Sequence, residues 1–85
     1  MGDLGEVDRE IVIQVLQANG VRVSPQENGE AGMMVLAKDE KVEARRIPSK
    51  VGRRTLQYFQ RHYGVPIYQF YNPLMAPPPP GEQIQ

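Results

Sequence analysis

Val51–Tyr71 reads VGRRTLQYFQRHYGVPIYQFY and holds all four tyrosines and both phenylalanines of the chain. Leu56, Phe59 and Tyr63 recur at i, i+3 and i+7, which predicts a helix that buries one line of large side chains. Thr55, Tyr58 and His62 flank that line, and the arginines beside it are left facing solvent. Gly64 ends the helix, because glycine adopts the left-handed turn at no steric cost. Beyond Pro66 the pattern alternates, Ile67 and Gln69 to one side and Tyr68 and Phe70 to the other, which predicts a C-terminal apolar strand or arm along a sheet edge.

Upstream of this segment, Ser49 is a candidate cap for the basic helix, and Pro48 ends whatever precedes it because proline cannot donate to a ladder. Val42–Ile47 alternates as a strand, with a slip near Arg46 that suggests a bulge. Lys38–Lys41 is a polar turn, and Gly32–Ala37 is a continuous apolar run of the kind found in the middle of a sheet. Val21–Val23 is a short strand stopped by Ser24-Pro25, and Asn28-Gly29 suits the reversing connection that follows. At the other end Asp8 has the features of an N-cap, with Glu10 in the first turn and Val7 set to staple against Val12. Ile11, Val12, Val15 and Leu16 form one stripe, and Asn19-Gly20 closes this first helix.

The order α-β-β-β-α predicts an α+β domain over residues 7–71. Two helices pack on one face of a three-stranded antiparallel sheet, the apolar C-terminal arm follows, and a disordered, proline-rich tail fills 72–85. A chain of 85 residues buries only roughly 60% of its unfolded surface, enough for one two-layer core. With no cysteine there is no disulfide, thiolate metal site or thiol nucleophile, which fits an intracellular protein. The chain has no apolar run of membrane length, and its first residues lack the basic start of a signal peptide and the myristoylation pattern. A cytoplasmic protein with no membrane partner is expected.

The net charge of zero conceals a division. Residues 1–37 carry six acids against Arg9 and Arg22, whereas residues 38–62 carry eight cations against Asp39, Glu40 and Glu43. Lys50, Arg53 and Arg54 gather at the start of the basic helix, where exposed amides add positive polarity, so a phosphate is a natural ligand. Arg45 and Arg46 approach from the preceding strand and Arg61 extends the patch along the helix. The competing account is a solvated face partly neutralised by the three nearby acids.

The phrase Arg46-Ile47-Pro48, leading through Ser49-Lys50-Val51-Gly52 into Arg53-Arg54-Thr55-Leu56, resembles the HicA-like toxin family. The likeness covers residues 8–64, including the opening helix that ends in Asn19-Gly20. It implies a fold like the double-stranded RNA-binding domain, an affinity for RNA and an antitoxin-like protein partner. The family's RNA cleavage depends on a histidine after a glycine-serine pair in the early strands. The corresponding stretch here, Asn28–Met33, has neither histidine nor serine, so the resemblance carries fold and nucleic-acid affinity but no catalytic residue.

The one histidine, His62, lies in the last helical turn, where a cation suits the helix dipole. No phosphate loop, dinucleotide fingerprint or metal-spaced cluster is present, so no cofactor and no metal are assigned. Ile67, Tyr68, Phe70 and Tyr71 are candidates for self-association into a homodimer, since an exposed apolar arm is costly in a monomer. The sequence thus offers a non-catalytic RNA- or DNA-binding module and, of a different class, a protein-interaction module built on the aromatic arm.

Overall fold

A computed structural model describes residues 5–26 and 32–76. The elements are β1 (Val7–Asp8), α1 (Arg9–Ala18), β2 (Arg22–Pro25), β3 (Met33–Lys38), β4 (Lys41–Arg46), β5 (Lys50–Val51), α2 (Arg53–Tyr63) and α3 (Tyr68–Tyr71), followed by a 3-10 turn over Pro73–Met75. The fold is α+β, with β2-β3-β4 as an antiparallel sheet and β3 in the middle. The Asn28-Gly29 turn and the proline run Pro77–Pro80 lie outside the described residues.

The core forms where the two helical stripes meet one face of the sheet. Val12, Val15 and Leu16 of α1, Leu36 of β3, and Leu56, Phe59 and Tyr63 of α2 are all buried. Met34 and Val23 lie partly buried against them. Ile47 and Val51 join the same cluster from the connection into α2. The helices end as their sequences dictate, with Gly20 at φ 88° and Gly64 at φ 71°, a region that glycine enters without strain. Gly32, at φ 87°, is needed for a second reason. A Cβ there would sit 3.3 Å from the Ile47 carbonyl oxygen and 3.2 Å from the Arg9 guanidinium.

Several expectations give way to the structure. No bulge interrupts β4, whose register runs unbroken from Lys38↔Lys41 to Met33↔Arg46. The irregular pattern near Arg46 arises because a charged residue, Arg45, occupies a helix-facing position, where its guanidinium lies 3.7 Å from the centre of the Tyr58 ring and is sheltered by it. Strand β2 continues through Ser24 and Pro25 instead of stopping before them. Gln26 N–H donates to Met33 C=O at 3.1 Å, so by steps of two Ser24 and Arg22 also turn their backbone groups toward β3, and Pro25 falls where the missing N–H would point away from it.

The helix caps differ too. Asp8 precedes α1 with no side-chain cap, because its carboxylate is engaged by the Lys50 ammonium. Ser49 does not cap α2, which starts after Gly52. Its carbonyl instead accepts the Arg9 N–H at 2.9 Å, beside a two-residue ladder pairing Val7 with Val51.

The largest correction is the C-terminal arm, which is no strand. Gln69 N–H donates to Pro66 C=O and Phe70 N–H to Ile67 C=O, and Tyr68–Tyr71 forms a helical turn. Proline presets the dihedral that opens such a turn and has no N–H to lose there. The turn swings Phe70 into the core, 1% exposed and 6.1 Å from the Phe59 ring centre. Gln69, which alternation put on a strand face, is buried and accepts the Asn19 side-chain amide at 2.8 Å. That bond ties the C-terminal end of α1 to α3.

Candidate nucleic-acid interface

The outer face of α2 and the strand β4 enclose a groove of about 360 Å³. Arg54, Tyr58 and Arg61 stand at i, i+4 and i+7 and therefore share one side of the helix. Arg45 reaches the same groove from β4, and His62 closes its C-terminal end. Of the six cations read from the sequence, the structure unites Arg45, Arg54 and Arg61 around this hollow. Arg53 is exposed one step around the helix, outside the lining. Arg46 alternates to the opposite face of β4, and Lys50 lies in a separate hollow with Asp8 and Arg9. Hydrogen bonding and attraction to Asp8 hold the Lys50 ammonium pKa above its ordinary value, a neutralising pairing that removes it from the patch.

Behind Tyr58, which lines the groove, lies a small polar network that the sequence does not reveal. Glu43 faces the helices from β4, and its carboxylate accepts the Tyr58 hydroxyl at 2.8 and 2.9 Å and the Tyr63 hydroxyl at 2.7 Å. Desolvation pushes the Glu43 carboxyl up. The hydrogen bonds from Tyr63 and Tyr58, with the charges of Arg45 and His62, outweigh it, and the net displacement is downward. Burial and the same carboxylate raise the Tyr63 hydroxyl well above its ordinary value of 10.0. The His62 ring packs 4.1 Å from the centre of the Tyr58 ring.

Glu43 therefore remains charged and anchors Tyr58, and Tyr58 in turn supports Arg45 and His62. Glu43 was legible only as a neighbouring acid, since its tyrosine partners come from fifteen and twenty residues away. The stripe of Arg54 and Arg61, by contrast, was available from helical spacing alone.

Arg45 reaches Glu43 only at 3.9 Å and its Nε is buried without a hydrogen-bond partner among the described residues. Arg54 and Arg61 have no ion pair among the described residues and present their guanidinium groups to solvent. A surface so arranged can hold two or more phosphates along one line.

A second hollow, about 540 Å³, opens beside the β3–β4 turn. Lys38 and Lys41 donate there to the carbonyls of Tyr63 and His62 at 2.9 and 2.8 Å. Those carbonyls belong to the last turn of α2, which has no partners of its own, so the lysines serve as a cap.

Ile67, Tyr68, Phe70 and Tyr71 do not make one exposed apolar face. Phe70 is in the core, Ile67 and Tyr71 are half-buried against it, and only Tyr68 is half exposed. No helix among the described residues is long and apolar enough to cross a membrane. No family model matches the chain, and neither does any curated protein or any solved structure.

Proposed function

We propose that this chain is a small, non-catalytic nucleic-acid-binding module of RNA type, related to the HicA-like toxins, that grips phosphates in the groove between α2 and β4. The observation that carries this reading is the convergence of Arg45, Arg54, Arg61 and His62 on one hollow, with Arg54 and Arg61 free of ion pairs among the described residues. The fold class agrees with the resemblance, and the absence of a histidine in the early strands leaves binding without cleavage. Each phosphate contact releases counterions, so affinity for a structured RNA should fall steeply with salt. An Arg54→Ala, Arg61→Ala double variant should weaken binding and flatten the slope of log K against log salt by about 1.4–1.8. Arg53→Ala, outside the groove, should change the slope less. Equal slopes for the wild type and the double variant, measured by fluorescence anisotropy, would sink the proposal.

A protein-interaction role has its own support at the C-terminal end. Leu74 is 99% exposed, Met75 61% and Tyr68 50%, an apolar group that water solvates poorly. Self-association through these residues predicts a mass that rises with concentration in light scattering and returns to that of a monomer in Leu74→Glu. A wild-type protein that remains monomeric at high concentration removes this second reading.

A further inference from the structure

The two edges of the three-stranded sheet are not equivalent. In an antiparallel ladder, residues alternate between those whose N–H and C=O face the neighbouring strand and those whose groups face away. Ile47 N–H donates to Gly32 C=O at 2.8 Å, which places Ile47, and by steps of two Arg45, Glu43 and Lys41, in the class that faces β3. Val42 and Ala44 therefore turn their backbone N–H and C=O outward from β4, the last strand of the sheet. Neither has a partner for those groups among the described residues, and both side chains are exposed, Val42 at 66%. On the opposite edge, β2 carries Pro25 at an outward position, where no N–H is offered. The β2 edge is thus interrupted by a proline, with Val23 its other outward residue, and the β4 edge is open along Val42 and Ala44 with no proline.

The open edge is also strongly charged. By sequence β4 carries three cations, Lys41, Arg45 and Arg46, and one acid, Glu43, which is held by Tyr58 and Tyr63. Arg54 and Arg61 stand across the groove from the same strand. A second copy would set a strand of net charge +2, three cations less Glu43, against another of the same charge, an arrangement that disfavours edge-to-edge pairing. An acidic strand meets the opposite condition.

We propose that β4 receives an extended acidic peptide from a partner protein as a fourth strand, held by backbone hydrogen bonds at Val42 and Ala44 and selected by the surrounding cations. The backbone hydrogen bonds at Val42 and Ala44 are distinct from phosphate binding, whereas the selecting charge includes the groove arginines Arg45, Arg54 and Arg61.

The test uses the full chain and a synthetic peptide alternating valine and glutamate, with a valine–lysine version as its control. Adding the acidic peptide should slow hydrogen exchange at the Val42 and Ala44 amides, and the lysine peptide should not. Ala44→Pro removes an outward N–H and leaves every ladder bond to β3 and every cation in place. It should weaken the acidic peptide about tenfold or more while RNA affinity stays unchanged. Equal binding by Ala44→Pro would reduce the contact to charge alone and overturn strand addition. Unprotected Val42 and Ala44 amides at peptide saturation would overturn it even if the proline variant failed to fold. Protection that grows with protein concentration and no peptide would assign the edge to a second copy instead.

Discussion

Phe59→Ala should destabilise the domain by about 3–5 kcal/mol, the range for removing a buried aromatic ring. Phe59 is fully buried, and its ring centre lies 6.3 Å from that of Tyr63 and 6.1 Å from that of Phe70. It therefore joins α2 to the C-terminal turn across the core. A domain of this class has roughly 5–15 kcal/mol of total stability, so much of it would be lost. Urea denaturation should show a large fall in midpoint. The half-exposed Tyr68, changed to alanine, should alter stability by no more than about 0.5 kcal/mol. Comparable losses in the two variants would mean that the C-terminal segment is not packed as described.

Removing the carboxylate at Glu43 should have the next largest effect. In Glu43→Gln the two tyrosine hydroxyls lose a charged acceptor, and hydrogen bonds to charged groups contribute about 1.5–3 kcal/mol each. The same carboxylate gives the wild type a defined acid response. Its folded pKa lies below its ordinary value of 4.5, so its stabilisation is fully present above pH 4.5 and is lost as the pH falls through the folded pKa. The Tyr63 pKa is displaced upward from 10.0, so its stabilisation is present below pH 10 and is lost as the pH rises through the folded value. Denaturant midpoints measured across pH should fall at both ends for the wild type. Glu43→Gln should lose part of the acid limb and Tyr63→Phe part of the alkaline one. An acid limb identical in wild type and Glu43→Gln would show that the carboxylate titrates as it does in the unfolded chain.

What could be read from sequence follows the range of the interactions involved. The line Leu56, Phe59, Tyr63 and the stop at Gly64 depend on helical period and local backbone freedom, and both are as expected. The central place of Met33–Lys38 followed from an apolar run that only a covered strand tolerates. The errors arose where a distant partner decided the outcome. Alternation over Ile67–Phe70 said strand, but the backbone turns at Pro66, and the Asn19 amide and the Phe59 ring give Gln69 and Phe70 adjacent buried places that no strand could supply. Asp8 and Ser49 have the chemistry of caps, yet the Asp8 carboxylate is taken by Lys50 and α2 begins only after Gly52, three residues beyond Ser49. The groove was half legible: Arg54 and Arg61 share a side by spacing, whereas the role of Arg45 depended on Tyr58 lying opposite it.

The Tyr71 hydroxyl approaches the Gly5 carbonyl oxygen at 3.5 Å, so the first described residue and the end of α3 meet at one corner. Terminal segments usually fray independently. Here, loosening either end withdraws support from the other, so shortening the protein before Tyr71 should raise protease access near Gly5, far away in sequence from the cut.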